Sequence, residues 1–377
     1  MCFSIMGKAF LIVLVTLFLL NTTQTQGKKS IRIKRNSTGS VGPRTFKGSL
    51  INISFSLDKI AEMQTPPPSN AVVLNSNNTA VYLRGPISIW FIPAIYIISL
   101  VVGIPANIAI LLTVGTKVRV ISSAILYCSL AVSDLLLLFS LFLKTHYHLN
   151  GNNWIFGETA CRVTTAFFYG NLYCSAFTLA CISIKRYIAV VHPFFYKSLP
   201  KRSFSAWGGL IVWIVFIVAL LPECLVKQSY YIMHLGITTC HDVLPDTIDY
   251  RWLEYYNLGL TCVGFFGPLV VTIGCYASIV WHLNRSHRDW ALYIRASSLN
   301  FVIFVVCFGP SSCFHFVHYF LLSLEITESF YMYFSVAVCL CCLHSALDPF
   351  LFMVMSRTVG TKRYFLTRKG PALSIST

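Results

Sequence analysis

Two sets of residues carry chemistry that their surroundings do not explain. The first is a pair of carboxylates in apolar sequence. Asp134 closes Leu130-Ala131-Val132-Ser133-Asp134, and Asp348 opens Asp348-Pro349-Phe350-Leu351-Phe352. An ionised carboxylate away from water needs a partner or a cation. Ser175, in a third apolar run, gives Asp134 a neighbouring oxygen. Together they read as a sodium or proton site, and a structural hydrogen-bond cluster with Asn107 is the plainer alternative. The second set is basic and lies in polar sequence near the N-terminus. Arg44 sits in Gly42-Pro43-Arg44-Thr45-Phe46-Lys47-Gly48-Ser49-Leu50. A trypsin-like protease carries an Asp in its specificity pocket and needs Arg or Lys before the scissile bond. Arg44 supplies that residue, and Pro43 fixes φ so that the bond is held extended. Arg35, Lys47 and Lys59 are further cleavable positions, and Arg32-Ile33-Lys34-Arg35 fits a furin-like convertase.

The elements that must position these residues follow from composition. Of 377 residues, 56% are hydrophobic and 11% charged. A soluble domain carries about 25% charged residues. So few charges cannot cover a water-facing surface, which excludes a soluble enzyme, a nucleic-acid-binding domain and a disordered protein. The net charge of +16 is then loop charge beside a bilayer rather than a footprint for nucleic acid. The apolar run Ala9–Leu20 is too short to span and reads as a signal-peptide core, giving residues 1–26 as a signal peptide. Residues 27–86 are polar, broken by Pro66-Pro67-Pro68, with glycosylation sequons at Asn36, Asn52 and Asn77. They read as a disordered extracellular tail.

Seven runs of membrane length follow: Ile87–Val114, Ile121–Thr145, Cys161–Val190, Phe204–Val226, Leu253–Leu283, Trp290–Leu322 and Phe330–Met355. Each is long enough for a helix through ~30 Å of hydrocarbon. The fold class is an all-α membrane protein, a seven-helix bundle over 87–355 with a short cytoplasmic tail over 356–377. Lys and Arg crowd the first, third and fifth loops and the last stretch, while Glu158, Asp242, Asp246, Glu325 and Glu328 fall in the alternate loops. That asymmetry puts the C-terminus in the cytosol and the N-terminus outside. Prolines at 93, 105, 222, 268, 310 and 349 fall within five of the runs and predict bends, and Pro310 is a candidate hinge. Cys161 and Cys240 both fall on the oxidising side and read as a disulfide, with Cys224 as an alternative partner.

At these residues the chain resembles the rhodopsin-like (class A) G-protein-coupled receptors. Asn107, Leu130-Ala131-Val132-Ser133-Asp134, Cys161, Lys185-Arg186-Tyr187, Trp213, Pro268, Tyr276, Cys307-Phe308-Gly309-Pro310 and Asp348-Pro349 fall in order at the family's spacings. More narrowly it resembles the protease-activated receptors. Ile237-Thr238-Thr239-Cys240-His241-Asp242-Val243-Leu244 carries that likeness, with Tyr147-His148-Leu149-Asn150-Gly151-Asn152-Asn153-Trp154 and His318-Tyr319-Phe320.

The resemblance implies a plasma-membrane receptor, not an enzyme, with heterotrimeric G proteins as partners and Arg186 at the coupling surface. It implies cleavage after Arg44 by thrombin or another trypsin-like serine protease. Thr45, Phe46, Lys47 and Gly48 then form a tethered ligand. A tether of roughly 40 residues gives an effective concentration of order mM. His241, Asp242, Tyr147 and Tyr319 are its expected seat, with Asp242 and Asp246 a negative rim for the new amine or Lys47. Pro before Arg favours thrombin, but only Phe55, Asp58 and Glu62 stand where thrombin's preferred receptors carry an acidic, aromatic stretch. Two positions depart from the family: Lys185 replaces an acidic or amide residue, and Phe352 replaces Tyr. Lys185 cannot restrain Arg186, so resting restraint is weaker or coupling is poor. A non-signalling co-receptor presenting protease to a sister receptor is therefore the alternative, beside a receptor for a soluble ligand. A transporter is disfavoured by two buried acids and seven spans.

Overall fold

The computed structural model describes residues 46–50, 70–74, 77–117, 124–245, 251–285, 291–320 and 328–354. The signal peptide, Arg44, Thr45, Asn36, Asn52, Asp246 and the C-terminal stretch lie outside the described residues. So do the side chains of Lys47, Asn77 and Tyr319.

Among the described residues, seven helices are long and apolar enough to cross a membrane. They run Asn78–Gly115, Ala124–Leu149, Gly157–Val191, Ser203–Leu225, Tyr255–Asn284, Ser297–Phe314 and Tyr331–Val354, and are called spans one to seven. In the most apolar stretches of spans two, three and seven, 67%, 61% and 67% of residues are buried, against 28% in span one. These three are therefore the axis of the bundle, and the outward apolar side chains of the others, such as Val101, Leu112 and Val270, suit lipid.

Polar ties cross the spans where the backbone needs them. Asn107 donates to the Ser345 carbonyl at 2.8 Å, joining spans one and seven. Asn300 donates to Ser183 at 2.6 Å, joining six and three. Span one begins at Asn78 rather than Ile87, and its 38 residues reach about 57 Å at 1.5 Å per residue.

Three prolines explain three irregular turns. Ile87–Phe91, Cys262–Phe266 and Phe304–Phe308 widen to π-helical spacing. Each ends two residues before a proline: Pro93, Pro268 and Pro310. A helical proline has no N–H and its ring meets the carbonyl four residues earlier. Those carbonyls belong to Ile89, Gly264 and Val306, the middle residue of each wide turn, so the widening is where the collision is absorbed.

Two described segments of the tail, Phe46–Leu50 and Ala71–Leu74, are strands. Five strands form one sheet in the order β4-β3-β2-β1-β5. β1 is Phe46–Leu50, β2 Ala71–Leu74, β3 Ser229–Ile232, β4 Ile237–Cys240 and β5 Val243–Pro245. β1 and β2 come from the tail and pair antiparallel, with Ser49 opposite Val73. β2 then lies parallel to β3, and β1 parallel to β5, with Phe46 opposite Val243. The tail segments carry no core of their own and become strands only because the outer loop offers open edges. That loop is fixed to the bundle. Cys161 and Cys240 form a disulfide with a Cα–Cα distance of 5.7 Å, and Cys224 is free. The Glu158 carboxylate accepts the N–H groups of Gln228 and Ser229, both at 2.9 Å. Trp154 donates its N–H to the Thr238 carbonyl at 2.7 Å, so the first outer loop is tied to β4.

Candidate functional site

The outer site is built around Asp242. The chain leaves β4 at Cys240 and turns through His241, which has φ +70°. A non-glycine residue in that region costs of order 1–3 kcal/mol unless its surroundings hold it. Here the disulfide precedes it, and Gln228 meets it twice. His241 donates its N–H to the Gln228 carbonyl at 2.9 Å, and Nδ1 lies 2.7 Å from Gln228 Oε1. The His241 ring packs on Tyr169 with centroids 5.0 Å apart.

The turn drives Asp242 inward. Of the two acids expected on the rim, Asp242 is buried, only 8% exposed. Tyr147 donates its hydroxyl to one carboxylate oxygen at 2.5 Å, and Tyr331 donates to the other at 2.7 Å. Two O–H donors to one carboxylate are charge-assisted bonds that stabilise the anion. The Asp242 carbonyl accepts the N–H of Phe46 at 2.8 Å. The Phe46 ring is 4% exposed, 4.2 Å from Tyr331 and 5.5 Å from Tyr82 between centroids. Tyr82 and Tyr331 meet edge-on at 5.5 Å. Burying such a ring is worth about 2–3 kcal/mol, and each aromatic pair adds about 0.5–1.5 kcal/mol.

Of the expected seat, His241, Asp242 and Tyr147 come together, and Phe46 joins them. Tyr319 belongs to the helix Gly309–Phe320 of the sixth element, its side chain undescribed. The sequence reading missed Tyr331 and Tyr82. Tyr331 and Tyr82 lie outside the motifs that carried the resemblance.

A second cluster lies in the middle of the bundle. Asn171 Nδ2 donates to Asp134 Oδ1 at 3.1 Å, and Ser175 Oγ donates to the same oxygen at 3.4 Å. His344, absent from the sequence candidates, has Nε2 3.6 Å from Asp134 Oδ1. Asp348 lies within the same group, with one ligand atom of Asp134, His344 and Asp348 all within 4.8 Å of one another. His344 is an ionisable residue in an apolar run, and the rule that marked the two acids applied to it equally.

Both departures from the family pattern have described contacts. Lys185 donates Nζ to Ser205 Oγ at 2.5 Å. Arg186 Nη2 instead reaches the Tyr127 hydroxyl at 3.5 Å. Phe352 packs edge-on against Tyr127 at 5.2 Å. Tyr127 thus supplies a contact for Arg186 that the sequence reading did not foresee.

Comparison with known proteins decides the family. The profile of the 7 transmembrane receptor (rhodopsin family) matches residues 106–352. Proteinase-activated receptor 3 of Bos taurus is 42% identical over 310 residues, covering 82% of each chain. The chain belongs to the proteinase-activated receptors of the rhodopsin family. Proteinase-activated receptor 3 of Homo sapiens is 41% identical over 308 residues, 81% of this chain and 82% of that one. Proteinase-activated receptor 2 of Mus musculus is 33% identical over 322 residues, 84% of this chain and 76% of that one. This receptor is therefore a multi-pass plasma-membrane protein and not an enzyme.

Proposed function

We propose that a trypsin-like serine protease, thrombin foremost, activates this receptor by cutting Arg44–Thr45, and that the new N-terminus from Thr45 is its tethered agonist. The observation that carries the reading is the burial of Phe46 against Tyr82 and Tyr331 with its N–H on the Asp242 carbonyl. Phe46 is the second residue after the proposed cut. In the uncut chain that ring already has its seat. On this reading the cut adds a positive amine at Thr45 and frees the segment from everything before it. The N-terminus faces the protease outside, and Arg186 faces the G protein inside. Asn36, Asn52 and Asn77 are glycan sites on the exported tail.

Replacing Arg44 with Gln and treating cells with low thrombin tests the bond. Tail loss at the surface is expected to stop, and loss at the wild-type rate would remove Arg44 as the site. Wild-type tail loss with trypsin but not thrombin would keep the bond and change the protease. The departure at Lys185 favours a second reading, a co-receptor that presents protease to a sister receptor. Proven cleavage without a calcium signal, in cells lacking sister receptors, is its signature.

A further inference from the structure

Neither activation nor coupling as described uses His344, which is fully buried in span seven. Local backbone explains its pose. The helix tightens after Cys341, and the Ser345 N–H goes to the Cys342 carbonyl at 3.3 Å instead of continuing the i−4 ladder. His344 Nδ1 lies 2.7 Å from the Cys341 carbonyl oxygen that this tightening leaves behind. A carbonyl only accepts, so Nδ1 carries a hydrogen.

The other ring nitrogen faces acceptors as well. Nε2 lies 3.0 Å from Asn171 Oδ1 and 3.6 Å from Asp134 Oδ1. The Asn171 amide is oriented by its own partners. Its Nδ2 points at Asp134 Oδ1, 3.1 Å away, and at Ser175 Oγ, 3.3 Å away, so its oxygen must face the ring. Nε2 therefore donates too. An imidazole with hydrogen on both nitrogens is a cation.

We infer that His344 is the built-in counter-ion of Asp134, and that this receptor takes no sodium ion at that carboxylate. Of the two Asp134 oxygens, Oδ2 is buried with no hydrogen-bond partner among the described residues, and Oδ1, which faces the ring, does not fit a cation. Asp134 Oδ1 already receives Asn171 and Ser175, and a sodium ion on it would meet a positive ring 3.6 Å away. Phe308 covers the ring from span six at 4.7 Å, leaving an apolar wall on that side. Asp348, with two buried oxygens lacking a hydrogen-bond partner, is the other acid facing the group. It admits a rival reading, a divalent transition metal held by Nε2 and the two carboxylates, since a ligating histidine also gives its second N–H to a carbonyl. The rival is disfavoured because Nε2 lies 3.0 Å from an amide oxygen, which a bare lone pair would repel.

Thermal unfolding of the purified full-length receptor tests this. In about 0.15 M NaCl, KCl or choline chloride the wild type is expected to unfold at one temperature. His344→Asn removes the positive charge and leaves Asp134 needing a cation, so the variant is expected to gain several degrees in NaCl over KCl. His344→Ser serves if the amide folds poorly. A sodium-specific rise in the wild type overturns the inference whatever the variants do. Variants that fold and gain no sodium response overturn it too. A rise in the wild type with micromolar Zn²⁺, lost in His344→Asn, replaces it with the metal reading.

Discussion

Asp242 and Phe46 were visible to sequence reasoning for different reasons. Asp242 stands two residues after a disulfide cysteine, and Phe46 stands two residues after a cleavable arginine. What sequence could not supply was Tyr82 and Tyr331, because the three rings meet only after the tail, span one and span seven have folded onto one another. The burial of Asp242 was hidden for the same reason: its exposure depends on where Tyr147 and Tyr331 arrive. At this scale Phe46→Ala empties the seat. The loss is about 3 kcal/mol, roughly 100-fold in occupancy. The calcium response to protease is expected to fall accordingly while tail removal at the surface keeps its wild-type rate. An unchanged response would mean that the ring is a spectator.

The elements divide by how their information is stored. Seven spans were legible because about 20 apolar residues in a row have one solution in a bilayer. The bends were half legible. Pro268 and Pro310 marked where a helix must yield, but not that the turn before each would widen. The strands were not legible, since β1 and β2 carry no alternation strong enough to stand alone and borrow their partners from the outer loop. Gly264 shows how tightly one wide turn is set. A Cβ there would lie 2.6 Å from the Tyr173 ring, while Tyr173 is itself buried. Gly264→Ala is expected to cost about 1–3 kcal/mol of overpacking, seen as a lower unfolding temperature of the purified receptor. An unchanged temperature would show that the Tyr173 ring has room to turn.

Across the whole molecule, the outer sheet packs on the bundle through a shared apolar core, and the Cys161–Cys240 disulfide cross-links the two. Losing such a bond costs about 2–4 kcal/mol, and here the cost falls on the turn that aims Asp242. Cys240→Ser is expected to leave a receptor that is cut at the surface yet gives no calcium response; a full response would show that the Glu158 and Trp154 hydrogen bonds hold the loop unaided. The tail, for its part, contributes the ring that is bound and also β2, which lies between β1 and the outer-loop hairpin. That double role has a pharmacological consequence. A free peptide copying the segment from Thr45 would find no empty seat, but one held by the chain itself at an effective concentration of order mM. Such a peptide would have to reach comparable concentrations before it displaced the resident ring. A blocker would face the same competitor, whether or not a protease had yet arrived.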